Sequence, residues 1–266
     1  MELKVQDKKV FIATGGKRAD SSKSTLIMLH GAGMDRTVWS MQARFFAHHG
    51  FSVLNPDLPG HGRSEGPAPD SIPAYSAWVL DLLESVGVEE VYLVGHSMGS
   101  LIALSCAASL GPKAKKLALL GTLPKIQVHP DLLDSAIKND HKAYETIVGW
   151  GVGRLAQIGG NRTPGSWIAG ASMRLLESSP PGVLANDLKA CNGWEDGLET
   201  ATKLKCPTLL LLGSDDRMTP ANGVKEMEAV IRDCETVVLT GAGHMMMIEE
   251  PEQTLDALIP FFGQAS

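Results

Sequence analysis

The pattern that most constrains this chain is a G-x-S-x-G pentapeptide over residues 95–99, centred on Ser97. It follows a short apolar run at residues 91–94 and precedes a helix-like segment that begins near Met98. A strand that turns sharply into a helix brings the two backbones close together, and the two glycines leave room for that approach. The serine hydroxyl then stands at the strand's end, beside a helix N-terminus that favours negative charge. The pattern therefore predicts a nucleophilic Ser97 in a strained turn.

Short apolar runs alternate along the chain with longer amphipathic segments. The runs are continuously apolar, as expected of strands that helices cover on both faces, and lie at residues 26–29, 52–55, 91–94, 117–120, 208–212 and 236–239. The helix-like segments lie at 38–49, 71–86, 98–110, 221–231 and 251–262. Residues 3–5 and 10–13 predict an N-terminal antiparallel hairpin. We therefore predict an α/β fold with a mostly parallel, doubly wound sheet of eight strands.

The alternation stops once, because no strand-like run occurs between residues 121 and 206. The intervening segment predicts helices at 131–148, 166–177 and 182–190, interrupted by a glycine-rich passage at 149–160. We therefore expect a core of residues 1–121 and 206–266 and a helical cap of residues 122–205 over the sheet's C-terminal edge. The cap holds Trp150, Trp167 and Trp194, which either pack its own small core or face a substrate pocket.

Composition excludes several other classes of protein. The chain has 24 basic and 30 acidic residues, a net charge of −6, and no basic cluster of the kind that nucleic-acid-binding domains carry. Its N-terminus is charged and lacks the apolar core of a signal peptide, so we expect a cytoplasmic protein without a membrane segment. The four widely spaced cysteines predict free thiols. No residues have metal-ligand spacing, so we expect neither metal nor cofactor. The chain leaves open whether it is a monomer or a homodimer.

A serine hydroxyl needs a base, and the base needs an acid that holds its tautomer. Of the eight histidines, His244 lies in a glycine-containing loop after the last strand, at the same sheet edge as Ser97. Two aspartates, Asp215 and Asp216, follow the strand at 208–212. Either could orient the base, and the spacing between the preceding glycine and the following proline favours Asp216. Glu249 and its neighbour Glu250 are expected to cap the last helix rather than replace the aspartate.

The order Ser97, Asp216, His244 and three further motifs resemble the α/β-hydrolase superfamily. Residues 29–33 resemble its oxyanion loop, 55–64 its D-x-x-G-x-G-x-S loop, and 243–251 its closing G-H-x(4)-E-x-P motif. The resemblance covers about residues 3–262 except the cap. It implies that the backbone N–H groups of Ala32 and Met98 form the oxyanion hole. It also implies structural roles for Asp57 and His61, which would hold their loop beside the site.

Departures from subfamily patterns narrow the chemistry. Epoxide hydrolases and haloalkane dehalogenases place an aspartate where this chain has Ser97, which excludes an alkyl-enzyme mechanism. Carbon–carbon hydrolases typically have asparagine before the serine and tryptophan after the histidine, where this chain has His96 and Met245. The remaining chemistry is acyl transfer to water. We expect a mainly apolar substrate pocket lined by residues beside these motifs and in the cap, namely Gly31, Met34, His96, Trp150, Trp167, Met218 and Met245.

The sequence therefore predicts a carboxylesterase-like serine hydrolase whose partner is a small-molecule ester. Lactones and thioesters are related substrates of the same chemistry. Three alternatives stay open: a carbon–carbon hydrolase of diketone-like substrates, a perhydrolase-like activity, and a ligand receptor that keeps its triad on the same fold.

Overall fold

The computed structural model describes residues 1–162 and 165–263, and its strands form one sheet. The strands are β1 (Glu2–Val5), β2 (Lys8–Ala13), β3 (Thr25–Leu29), β4 (Ser52–Pro56), β5 (Val91–His96), β6 (Ala114–Leu120), β7 (Thr208–Gly213) and β8 (Cys234–Leu239). Their order across the sheet is β1-β2-β4-β3-β5-β6-β7-β8. The β1–β2 and β2–β4 pairs are antiparallel, and the other pairs are parallel. The predicted fold class, including the N-terminal hairpin, is confirmed.

Helices pack on both faces of this sheet. They are α1 (Ser40–His48), α2 (Ile72–Ser85), α3 (Met98–Leu110), α4 (Pro130–Ile137), α5 (Lys142–Gly151), α6 (Arg154–Gln157), α7 (Ile168–Glu177), α8 (Val183–Asn192), α9 (Gly197–Thr202), α10 (Lys225–Val230), α11 (Met246–Glu249) and α12 (Pro251–Phe262). One buried apolar cluster joins the sheet to α2, α3 and α10, and a second joins it to α1, α12 and much of the region between β6 and β7. Two cores on opposite faces account for strands that are apolar throughout.

The region between β6 and β7 differs in detail from the helices predicted for it. The single helix expected over 131–148 is wrong, because the chain breaks at Asn139 into α4 and α5. Asn139 has a φ of 52°, in the left-handed region that ends a helix, and its side-chain oxygen accepts a hydrogen bond from Gly182 N at 2.7 Å. The short helix α9 was not predicted, since six residues are too few to show a periodic pattern.

The topology brings several loops to one edge of the sheet. Strands β3, β5, β6, β7 and β8 run parallel, so the loops that follow them lie at the same C-terminal edge. Helices α4–α9 are inserted after β6, between the strands that carry Ser97 and Asp216. We keep the name cap for residues 122–205. None of the described helices is long and apolar enough to cross a membrane.

Candidate active site

The turn at Ser97 is strained in the way the glycine spacing predicts. Ser97 has a φ of 53° and a ψ of −120°, a conformation that is rare for residues with a side chain. A Cβ atom at Gly95 would lie 2.0 Å from the Gly99 carbonyl oxygen, and one at Gly99 would lie 2.3 Å from Leu29 O. Ser97 N donates to Leu120 O at 2.9 Å, which ties the turn to β6. The backbone therefore has no room for a side chain at either glycine.

His244 is paired with Asp216 at the neighbouring strand ends. Asp216 Oδ2 lies 2.7 Å from His244 Nδ1 and also accepts the Thr219 hydroxyl at 2.6 Å, while Oδ1 accepts the Met218 and Thr219 N–H groups at 2.8 and 2.9 Å. Burial alone would raise the pKa of Asp216, but His244 and these hydrogen bonds outweigh it and lower the pKa. Asp215 instead accepts the Ser214 hydroxyl. The geometry therefore pairs the favoured aspartate with the base.

The backbone of His244 is held from two sides. His244 N donates to Gly151 O at the end of α5, and the His96 Nε2–H donates to His244 O at 2.8 Å. His96 is completely buried, and its burial lowers its pKa well below the ordinary value, so the ring is neutral. The expectation that His96 lines the substrate pocket is wrong. The last residue of β5 lies beneath the turn, where its side chain supports the base's backbone.

The loop after β3 is anchored beside the serine. His30 Nδ1–H donates to Gly31 O at 2.9 Å, and His30 Nε2 accepts from Leu58 N at 3.0 Å. One nitrogen donates and the other accepts, so the ring is neutral, in keeping with the burial that lowers its pKa to about 3. A Cβ atom at Gly31 would lie 3.2 Å from the Ser97 Cβ. Ala32 follows directly, so its backbone enters the same neighbourhood as Met98, the first residue of α3, whose N–H has no intrahelical acceptor.

A buried carboxylate of the cap holds this loop, and sequence reasoning missed it. Asp187 of α8 accepts Gly33 N at 2.9 Å, the Tyr75 hydroxyl at 2.7 Å and His61 Nε2 at 2.7 Å, and all of its surface is buried. His61 Nδ1 faces the Pro59 carbonyl oxygen at 3.0 Å, so both ring nitrogens face acceptors and both carry protons. Burial would lower the pKa of His61, but the adjacent Asp187 charge outweighs it and raises the pKa.

Glu249 does not have the predicted role. Glu249 Oε2 accepts Gly153 N at 2.7 Å and Gly243 N at 3.0 Å, and Oε1 accepts Met245 N at 2.9 Å. The side chain is 1% exposed, and burial raises its pKa to about 6. Neither Glu249 nor Glu250 caps α12 through its side chain. Glu249 instead clamps the backbone on both sides of the base and ties it to the cap.

Ser97 and His244 line one cavity of about 380 Å³ between the sheet edge and the cap. The cavity wall is mostly apolar and contains Ala32, Met34, Ile126, Val128, Leu132, Ile147, Trp150, Leu188, Cys191 and Met218, together with Gln127, His129, Arg217 and Thr219. Of the predicted pocket residues, the structure places Met34, Trp150 and Met218 in this wall.

Three other predicted pocket residues lie outside this wall. Trp167 is 71% exposed, and its ring lies over Gly170 on the first turn of its own helix, so its expected role is wrong. Gly31 packs beneath the cavity against His96 and Ser97. Met245 borders a separate, smaller void behind the base.

Comparisons with known proteins agree with this geometry. The chain belongs to the alpha/beta hydrolase family, whose model matches residues 26–257. It is 27% identical to an (E)-2-((N-methylformamido)methylene)succinate hydrolase from Acinetobacter baylyi, over 88% of each chain. It is 28% identical to a pimeloyl-[acyl-carrier protein] methyl ester esterase from Xanthomonas axonopodis, over 89% of this chain and 94% of the relative. The fold matches an enol-lactonase from Burkholderia xenovorans with a TM-score of 0.88, at 20% identity, over 98% of this chain and 99% of that one. The chain is therefore a hydrolase.

Proposed function

We propose that this protein is a serine hydrolase that cleaves carboxylic esters of small to medium, mainly apolar substrates. The observation that carries this proposal is the cavity whose wall contains both Ser97 and His244. His244 is hydrogen-bonded through Nδ1 to the buried Asp216. Acyl transfer requires a nucleophile and a base that face one substrate cavity, and an acid that orients the base from its other ring nitrogen. The esterase named among the relatives supports the same chemistry.

The mechanism uses the protein's own groups. His244 Nε2 takes the Ser97 proton as the hydroxyl oxygen attacks the ester carbonyl carbon, and Asp216 stabilises the resulting imidazolium through Nδ1. The Ala32 and Met98 N–H groups stabilise the tetrahedral oxyanion. His244 then protonates the leaving alcohol as the carbon–oxygen bond breaks, which leaves an acyl-serine. The same imidazole activates a water that attacks this acyl group, and the acid departs as the proton returns to Ser97.

The cavity sets the expected size of the substrate. A wall of methionine, leucine, isoleucine, valine and tryptophan side chains favours an apolar acyl or alkyl chain, and a volume of about 380 Å³ admits a chain of several carbons rather than a long lipid. Methionines adapt to chains of different shape because their side chains are flexible and polarizable.

The first experiment tests whether Ser97 is activated. We would incubate the protein with a small fluorophosphonate and measure its intact mass, for wild type, Ser97→Ala and Ser109→Ala. Ser109 is an exposed serine near the far end of α3 and serves as the matched control. We expect one adduct on wild type and on the control, and none on Ser97→Ala. Absence of an adduct on wild type would contradict the proposal and favour a ligand receptor.

The second experiment tests the reaction type. Hydrolysis of p-nitrophenyl esters from acetate to octanoate is compared with hydrolysis of a ring-cleavage dienone. We expect ester turnover with a maximum at intermediate chain length, because a cavity of about 380 Å³ holds a chain of several carbons and not a long one. Rapid cleavage of the dienone with negligible ester turnover would contradict the proposed ester hydrolysis and indicate carbon–carbon bond hydrolysis instead.

A further inference from the structure

The catalytic cavity has one ionic side chain in its wall. Among the cavity-lining residues of the described ranges 1–162 and 165–263, Arg217 is the one Asp, Glu, Lys or Arg. It follows Asp216 directly and is exposed at the cavity's edge. The guanidinium forms no ion pair with any carboxylate in the described part of the chain. Because this cation lies beside the catalytic cavity and has no protein counterion among the described residues, it is available to bind an anionic group of the substrate.

The arginine is held in place by the cap without losing its capacity to bind an anion. Its Nη2 donates to the carbonyl oxygen of Gly149 in α5, which leaves most of the five guanidinium N–H donors for other acceptors. The two carboxylates on its own loop bond other groups instead: Asp216 accepts from Thr219 and the base, and Asp215 accepts from Ser214. The guanidinium is therefore positioned by backbone rather than by charge.

Two polar side chains of the cap, His129 and Gln127, line the cavity with the arginine. The residue after Gly149 is Trp150, whose ring meets the His129 ring edge to face at 5.6 Å. His129 Nδ1 accepts from Asp131 N at 3.3 Å, which leaves Nε2 as the ring nitrogen that can donate. Gln127 lies two residues before His129 and also lines the cavity. His129 and Gln127 are thus two residues of the cap with side-chain N–H groups that line the same cavity as the arginine.

We propose that Arg217, assisted by His129 and Gln127, binds the carboxylate of substrates that carry an acid group at the end remote from the ester. The substrate class is then the half-ester of a dicarboxylic acid, with an apolar chain between the reacting carbonyl and the carboxylate. This proposal rests on the proposed ester hydrolysis and deepens it. An arginine suits this role because its planar fork matches a carboxylate with two parallel hydrogen bonds.

The test compares two esters that differ only at the remote end, mono-p-nitrophenyl adipate and p-nitrophenyl hexanoate. The adipate chain is long enough to limit attack by its own carboxylate, and the uncatalysed rate is subtracted. The measured quantity is the ratio of kcat/KM for the adipate ester to kcat/KM for the hexanoate ester. This ratio does not depend on the fraction of active protein, so partial misfolding of a variant does not alter it.

Three variants accompany the wild type. We expect a wild-type ratio above one, a roughly 10-fold lower ratio for Arg217→Met, and an intermediate ratio for Arg217→Lys, which keeps the charge but loses the fork. The matched control is Arg154→Met, because Arg154 lines a neighbouring surface groove together with Arg217 but does not line the catalytic cavity. This variant should hydrolyse both esters at the wild-type rates. Raising the salt concentration from 0.05 to about 0.5 M should lower the wild-type ratio, since the pair is exposed to solvent.

The outcomes separate the two proposals. Hydrolysis of both esters with a ratio that Arg217→Met leaves unchanged would overturn the carboxylate subsite and retain the esterase. Equal losses for both esters in Arg217→Met would show that the arginine acts only through Gly149, and would also overturn the subsite. Turnover of neither ester by wild type, without a fluorophosphonate adduct on Ser97, would overturn the esterase and the subsite with it.

Discussion

Replacing Glu249 by glutamine tests whether one buried carboxylate holds His244, the proposed catalytic base, in place. The two carboxylate oxygens accept three backbone N–H groups, from Gly153 of the cap and from Gly243 and Met245 on either side of the base. Glutamine has one acceptor oxygen and one NH₂ donor. If its oxygen takes the position of Oε2, the NH₂ faces Met245 N–H, and if it flips, the NH₂ faces the other two donors. At least one buried donor loses its acceptor in either orientation.

The magnitude follows from these three hydrogen bonds. Leaving one buried N–H unpaired costs about 1–3 kcal/mol, and replacing a charged acceptor by a neutral one weakens the remaining bonds. We therefore expect Glu249→Gln to lower the free energy of unfolding by roughly 2–4 kcal/mol, which a protein of ordinary stability survives. Because the released backbone carries His244, kcat for an ester should fall about 10-fold, as expected when a catalytic group is displaced.

The assay is equilibrium unfolding in urea together with steady-state ester hydrolysis at a temperature where the variant is folded. Glu250→Gln is the matched control, because the neighbouring Glu250 side chain accepts from Gln253 and pairs with the exposed Arg162, and within the described residues it has no hydrogen bond to the base loop or to Gly153. The control should remain within about 0.5 kcal/mol of wild type. If Glu249→Gln matched the control in both stability and kcat, the clamp would have no energetic role and the reasoning would be refuted.

The same carboxylate predicts a pH dependence of stability. Burial raises the pKa of Glu249 from 4.5 to about 6, so the folded protein binds a proton more readily than the unfolded chain. Stability should therefore rise as the pH falls from about 7 towards 4.5, by an amount on the order of 2 kcal/mol at this site. The difference in unfolding free energy between wild type and Glu249→Gln, measured across this range, isolates the site. An increase of that difference with rising pH would contradict the sign.

Three further variants test the elbow, the acid and the oxyanion loop. Gly95→Ala places a Cβ atom 2.0 Å from Gly99 O, so we expect loss of soluble protein or a melting temperature many degrees lower, and a normal melting curve would contradict the close packing. Asp216→Asn should keep the fold and lower kcat by up to about 10,000-fold, measured by ester hydrolysis, since the asparagine amide favours the wrong histidine tautomer. Asp187→Asn weakens the hold on Gly33 and should lower kcat about 10-fold with little change in KM, because an oxyanion donor acts in the transition state. A rise in KM alone would assign Asp187 to cap anchoring only.

Much of the fold and the proposed catalytic residues follow from local patterns. Continuous apolar runs identified the parallel strands, and the two glycines around Ser97 predicted a turn that the observed φ and the Cβ distances bear out. The loops holding Asp216 and His244 could be placed because parallel strands bring their C-terminal ends to one edge. These features were predictable because the chemistry depends on residues close together in sequence, or on strand ends that any parallel sheet aligns.

Only the tertiary structure decided which distant residues hold those groups in place. Asp187 bonds Gly33 across 154 residues, and no local pattern distinguishes this acid from a solvated one. Glu249 lies in the closing G-H-x(4)-E-x-P motif, but the motif does not reveal its bond to Gly153, 96 residues away. The orientation of the cap helices likewise placed Trp150 in the cavity wall and Trp167 in solvent, although both are tryptophans in the same segment. The physical reason is that periodicity specifies which face of an element is buried, whereas the partner of a buried polar group depends on how separate elements pack.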